Sequence, residues 1–189
     1  MISLQTPLCN FNETAPDFLL TQDGKNYTPQ NLCNKNGLLV MFICNHCPYV
    51  QAILPSLVLT VRNCQAIKIG CVAIMSNNIE DYPEDSPVHM KKLALDHHFS
   101  FPYLYDESQE VAKKFGAICT PDFFGYNSKL GLQYRGRFDS RGKTVSAPAS
   151  NDLLEAMKMI AKTGFGPTNQ IPSIGCSIKW KNQESIQEG

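Results

Sequence analysis

Leu38-Leu39-Val40-Met41-Phe42-Ile43-Cys44-Asn45-His46-Cys47-Pro48-Tyr49 is an apolar run that ends in a Cys-x-x-Cys. Six consecutive apolar residues, Leu38 to Ile43, fit a strand buried on both faces. Beyond Cys47, the residues Val50, Ile53, Leu54, Leu57, Val58 and Val61 recur at helical spacing. Pro48 suits a first helical turn, where an N–H has no partner to lose. The two thiols therefore fall at a strand-to-helix turn, where unpaired backbone N–H groups and the helix dipole favour an anion. The thiolate is the reactive form of cysteine, so position alone points to dithiol redox chemistry.

Working outward, Ile69–Met75 is a second continuous apolar run. Strand, helix and strand in this order predict a right-handed βαβ unit with parallel pairing. Pro55 falls inside the helix and predicts a kink there. Upstream, residues 17–20 and the segment around Tyr27 flank Asp23-Gly24, a hairpin signal. Downstream, Ser86-Pro87 starts a helix that reaches His98, and residues 101–105 read as a short strand. Ser108 is expected to cap a helix through Val111, Ala112 and Phe115 that Gly116 ends.

After Thr120-Pro121 the pattern changes. Residues 122–126 and 130–137 are aromatic-rich runs that predict an antiparallel hairpin. Ser150 is expected to cap a last amphipathic helix, with Leu153, Leu154, Met157, Ile160 and Ala161 inward and Gly164 at its end. Residues 1–164 thus form one α/β domain, a mixed sheet with helices on both faces. Residues 165–189 form a tail, rich in Gly, Pro and polar residues, that packs on the same domain. It carries Cys176 and the single tryptophan, Trp180.

Composition narrows the function classes. Seventeen basic residues balance seventeen acidic ones among 189, which argues against nucleic acid or an anionic membrane as partner. The run at 38–43 is too short to span a bilayer. The N-terminus shows no basic leader followed by a long apolar stretch, so a cytoplasmic location is expected. Eight cysteines include one pair at Cys-x-x-Cys spacing, and in a reducing compartment the others are expected free and buried or catalytic.

A strand, then Cys44-Asn45-His46-Cys47, then a helix, and later a Thr-Pro opening a hairpin: this order resembles the thioredoxin superfamily. Within it the chain resembles the redoxin or peroxiredoxin-like branch, labelled alkyl hydroperoxide reductase or thiol-specific antioxidant. The similarity is carried by residues 42–49, by Tyr82-Pro83-Glu84-Asp85-Ser86-Pro87, by residues 102–107, by Cys119-Thr120-Pro121-Asp122-Phe123-Phe124, and by residues 172–180. It implies a three-layer α/β/α sandwich with a mixed parallel and antiparallel sheet and an N-terminal hairpin extension. It also implies a cis Pro121 beside the dithiol, and neither metal nor organic cofactor. Departures are plain. Val40 and Cys44 stand where peroxiredoxins carry the proline and threonine that precede their attacking cysteine, taken here as Cys47. Leu38 stands where thioredoxin has a buried carboxylate, so the proton acceptor for Cys47 is not given by analogy.

The site expected from this reading makes Cys44 the attacking thiol, exposed ahead of the helix, and Cys47 the shielded resolving thiol. His46 is expected to stabilise the thiolate and give a couple less reducing than thioredoxin's value of about −270 mV. Thr120 is expected to offer its backbone to an extended substrate segment. Asn45 and Cys119 are expected to line the substrate groove, with Cys119 otherwise a passive small residue. Cys176 is a candidate additional redox thiol, against the plainer reading of a buried cysteine. Arg135, Arg137 and Arg141 read as a solvated face. The function expected is a thiol–disulfide oxidoreductase with an antioxidant role, acting on a protein or small-molecule disulfide and recycled by an external thiol reductant. Two alternatives are peroxide reduction through a sulfenic acid, and copper or zinc binding by Cys44, His46 and Cys47 with Cys119 or Cys176.

Overall fold

The apolar runs become the central strands, and their alternation builds a core on each face of one sheet. A computed structural model describes residues 3–140 and 150–181. The elements in chain order are β1 (Ser3–Gln5), β2 (Leu20–Gln22), β3 (Lys25–Tyr27), α1 (Pro29–Leu32), β4 (Gly37–Phe42), α2 (Pro48–Ala66), β5 (Ile69–Met75), α3 (Pro87–Asp96), β6 (Tyr103–Tyr105), α4 (Glu110–Phe115), β7 (Cys119–Thr120), β8 (Asp122–Tyr126), β9 (Leu132–Arg135), α5 (Asp152–Thr163) and β10 (Ile174–Ser177).

The main sheet has the order β6-β5-β4-β8-β9. Strand β4 pairs parallel with β5 and antiparallel with β8, so the expected mixed sheet is present. All six residues of β4 are buried. Leu39 and Met41 pack with α2 and α5 through Leu54, Leu57, Met157 and Ile160. Leu38, Val40 and Phe42 face the other way, onto Val111, Ala112 and Phe115 of α4. The result is three layers, helix on sheet on helix. The hairpin β2–β3 turns at Asp23-Gly24, both with positive φ, as the Asp-Gly pair requires. No helix among the described residues is long and apolar enough to cross a membrane.

Several local expectations are corrected. Helix α2, read from the sequence as ending near Arg62, contains Pro55 and ends at Ala66. Helix α4 is capped by Asp106 together with Ser108: the Ser108 hydroxyl accepts from the Glu110 amide at 3.3 Å, and the Asp106 carboxylate accepts from the Val111 and Ala112 amides at 3.3 and 2.9 Å. A charged acceptor is favoured at helix N-terminal amides. Asn151, not Ser150, caps α5 by accepting from the Leu154 amide at 2.9 Å.

The arginines are not a solvated face. Arg135 is buried, donating from Nη2 to Asp122 Oδ2 at 2.8 Å and to the Gly116 carbonyl at 2.7 Å, with its guanidinium over the Phe124 ring. Arg137 donates to Asp152 at 2.6 Å, and Arg141 lies outside the described residues. Strand β9 puts Arg135 opposite Phe124, next to the fully buried Asp122, and that charge recruits it. Removing one member of a buried pair strands the other, so Arg135→Met should cost about 3–5 kcal/mol in denaturant unfolding. The double variant Arg135→Met/Asp122→Leu should recover most of that loss, and failure to recover it would assign the cost to packing instead.

Candidate active site

The strand-to-helix turn forms as expected, with Cys47 as the N-cap residue of α2 and Pro48 at its first position. Thr120-Pro121 is a cis peptide bond, and Thr120 faces the two sulfurs. Cys44 Sγ lies 3.3 Å from Thr120 Oγ1, and Cys47 Sγ donates to the Thr120 carbonyl at 3.1 Å. Fold and sequence agree on the pair, but not on its exposure. Cys44 is 1% and Cys47 0% exposed, so Cys44 is not the open thiol expected ahead of the helix.

Part of the covering is a strand from the tail. Strand β10 pairs antiparallel with β7, placing Cys176 opposite Thr120 and Ser177 opposite Cys119. On its other side it pairs with β1. Gly175 permits the approach, because a Cβ there would collide with the Thr120 carbonyl. The Thr120 edge expected to receive a substrate segment is therefore already paired with the chain's own tail. Cys176 belongs to the same buried cluster as Cys44 and Cys47, and its thiol hydrogen-bonds to Cys47.

The sulfurs are electrostatically unequal. The hydrogen bond from Cys44 pulls Cys47 down to about 5 against the opposing effect of burial. The Val50 amide, Thr120 and Cys176 act in the same direction as Cys44. Cys44 is pushed well up by the same bond, by burial and by the negative charge of Asp85. These effects favour ionisation of Cys47, at the helix N-terminus, over that of Cys44. While Cys47 keeps its proton, its Sγ donates to the Thr120 carbonyl.

Asp85 is the residue that sequence reasoning missed. It lies at the end of a single 3₁₀ turn, residues 83–85, and is fully buried. Its carboxylate accepts from the Asn45 and His46 amides at 2.7 and 3.2 Å, and from Asn77 Nδ2 at 2.7 Å. The two amides meet Oδ1, and His46 Nδ1 sits 2.6 Å from Oδ2, the oxygen that Asn77 also meets. Burial alone would raise the Asp85 carboxyl, but bonding from His46, Asn77 and Asn45 brings it below the usual range. The Asp85 bond in turn raises His46 against the opposite effect of burial. The ring stacks on Tyr82 at 5.0 Å. Its Nε2 is buried without a hydrogen-bond partner among the described residues.

Asn45 is not free to meet a substrate. Its Nδ2 donates to the Glu84 carbonyl, its Oδ1 accepts from the Tyr103 hydroxyl, and its carbonyl accepts from Gln51. A buried amide must satisfy these groups, and here it does so internally. Cys119 is buried and its thiol is pushed up, chiefly by desolvation, which suits the passive reading. Among the described residues, one ligand atom each from Cys44, His46 and Asp85 could form a metal-ligand set, within 4.8 Å of one another. A cation there would have to displace the donors that already surround the carboxylate.

Residues 11–143 match the AhpC/TSA family. An uncharacterised conserved protein from Geobacillus kaustophilus is 39% identical, with a TM-score of 0.91 over 97% of this chain and 98% of that one. A hypothetical protein from Sinorhizobium meliloti is 35% identical, with a TM-score of 0.90 over 95% and 99%. A secreted disulfide oxidoreductase from Mycobacterium tuberculosis, 18% identical, shares the fold at a TM-score of 0.56 over 77% and 95%. A search of curated proteins found no match. The chain belongs to the AhpC/TSA family and has the thioredoxin fold.

The His46–Asp85 pair has a defined pH window. The raised His46 pKa contributes stability that is complete below 6.5 and fades as pH rises through the folded value. The lowered Asp85 pKa contributes stability that is complete above 3.8 and is lost as pH falls through the folded value. In Asp85→Asn the His46 titration followed by NMR should fall toward the ordinary value of about 6.5. An unmoved midpoint would remove Asp85 as its cause.

Proposed function

We propose that this member of the AhpC/TSA family is a thiol–disulfide oxidoreductase that works through Cys44 and Cys47. The observation that carries the reading is the dithiol itself, two buried sulfurs against Thr120 at the mouth of α2, beside the cis Thr120-Pro121 bond. Such a pair attacks a disulfide through its thiolate, forms a mixed disulfide, and resolves it with the second thiol. The charge distribution favours Cys47 as the attacking sulfur and Cys44 as the resolving one, the reverse of the order read from the sequence. An external thiol would return the Cys44–Cys47 disulfide to the dithiol. Peroxide reduction with an antioxidant role has weaker support, since Cys44 occupies the place of the peroxide-orienting hydroxyl.

Reduction of a small disulfide by thiol reductant should fall about 100-fold or more in both Cys44→Ala and Cys47→Ala. Ultraviolet thiolate absorbance should titrate near 5 in the wild type. The exchange rate should rise as pH passes that value and then level off. The midpoint should move up in Cys44→Ala, which lacks the hydrogen bond to Cys47. Activity retained in both variants would defeat the reading, and a thiolate that persists in Cys47→Ala would restore the sequence-based order of attack.

His46 is proposed to support the reduced form, because Asp85 raises its pKa and negative charge on Cys47 adds to that rise, so imidazole and thiolate favour each other's charged forms. His46→Ala should therefore shift the couple to more negative potential, on the order of 30 mV. Redox titration of the two proteins against glutathione decides it, and an unchanged potential would leave His46 with a structural task only.

A further inference from the structure

The tail strand does more than cover the site, because of what it brings there. Strand β10 lies along β7 with Cys176 opposite Thr120, the residue that touches both redox sulfurs. It packs on α2, whose N-cap is Cys47. The Cys176 thiol is buried with the dithiol and hydrogen-bonds to Cys47.

The strand is also fixed at both ends. Before it, Ser173 donates from its amide to Thr6 Oγ1 at 3.0 Å and from its hydroxyl to the Pro121 carbonyl at 2.9 Å. After it, the Ile178 amide donates to the Ile118 carbonyl at 2.9 Å, and the Lys179 amide to Asn77 Oδ1 at 2.9 Å. The Lys179 carbonyl accepts from the Asn78 amide at 2.7 Å, and the Lys181 amide donates to Gln109 Oε1 at 2.8 Å. Asn77, which holds Lys179, is the same side chain that donates to Asp85. The third sulfur is thus held beside Cys47 by the network that holds the Cys-x-x-Cys loop.

We infer that Cys176 is a third redox thiol, an exchange partner in cis for Cys47 that occupies the edge where a substrate segment would otherwise pair. This rests on the proposed exchange at Cys44 and Cys47 and deepens it. An external disulfide first oxidises the pair: two electrons pass to it, two thiols leave, and the Cys44–Cys47 bond forms. The Cys176 thiolate then attacks Cys47 Sγ. The Cys47–Cys176 bond forms, the Cys44–Cys47 bond breaks, and Cys44 leaves as a thiolate that takes up a proton equivalent to the one Cys176 gave up. No further oxidant is consumed. Oxidation is shared over three sulfurs, and a mixed disulfide on Cys47 has two resolving thiols available instead of one.

The test uses the reduced full chain, oxidised glutathione as the probe, acid quenching, alkylation, and mapping of disulfide-linked peptides by mass spectrometry. In Cys44→Ala, glutathione should attach to Cys47 and then be displaced, leaving a Cys47–Cys176 bond in at least about tenfold excess over the Cys47 mixed disulfide. In Cys44→Ala/Cys176→Ser the mixed disulfide on Cys47 should persist. The wild type should yield the Cys44–Cys47 bond together with a measurable share of Cys47–Cys176. A Cys44→Ala chain with no Cys47–Cys176 bond, whether unreacted, glutathionylated or bridged to another cysteine, overturns the inference while a wild-type Cys44–Cys47 bond leaves the proposed function standing. A wild type with no disulfide at either Cys44 or Cys47 removes both.

Discussion

A carboxylate buried away from water is tolerated only where its oxygens are met by donors, and Asp85 meets that condition by gathering pieces that are distant in the chain. Two of its donors are consecutive backbone amides, Asn45 and His46, the residues between the two cysteines. A third is the imidazole of His46, and the fourth is Asn77, just beyond the end of β5. The Cys-x-x-Cys turn thereby has its backbone direction set by a charge rather than by the helix alone. Because Asn77 also holds the Lys179 amide, the same acceptor indirectly positions the tail. Without that charge, the turn, the imidazole and the tail would all lose a shared reference point.

The two sulfurs differ because they sit between opposite fields. Negative charge on Asp85 works against ionisation of Cys44, while the N-terminal end of α2 and three hydrogen-bonding groups favour it at Cys47. Burial disfavours a thiolate at both positions, so it cannot by itself choose between them. The hydrogen bond between the sulfurs is the largest contribution at both, since a proton kept on one becomes a donor to the other. His46 belongs to this balance as a partner of Asp85, which fixes the ring through Nδ1 and leaves Nε2 unbonded.

Much of this architecture was legible from local pattern. Continuous apolar runs located β4 and β5, Asp23-Gly24 located the hairpin, and the Cys-x-x-Cys followed by proline placed the thiols at a helix start. Those features depend on neighbours within a few residues, which is the range over which periodicity and turn chemistry act. The inequality of the sulfurs was not legible, because Asp85 reaches the turn across 39 residues and no spacing rule links them. Asn45 looked like a groove residue because its polar side chain stands between the cysteines. Only tertiary structure shows Tyr103 and the Glu84 carbonyl consuming that polarity. Arg135 likewise reads as surface in the sequence, whereas it is buried in an ion pair with Asp122. The cap of α4 was legible only in part, because Ser108 takes the Glu110 amide while the Asp106 carboxylate, two residues earlier, takes those of Val111 and Ala112.

The position of β10 changes how recognition at such a site is to be understood. Backbone groups on an unpaired strand edge ordinarily provide affinity for an extended partner, with side-chain pockets adding selectivity. Here those groups on β7 already bond to β10, and the flanking residues add further hydrogen bonds at Ser173, Ile178, Lys179 and Lys181. Each such bond is worth about 0.5–1.5 kcal/mol net, so peeling the strand away would cost several kcal/mol before any partner could pair in its place. A partner able to repay that cost would have to match the whole strand. It would also need a residue without a side chain one position before the one that faces Thr120, where Gly175 now fits against the Thr120 carbonyl. Selection for that match is demanding, whereas retention of β10 requires nothing new. The edge beside the sulfurs is therefore held by a strand that stays, and Cys176 lies in the buried cluster as a resident of that strand.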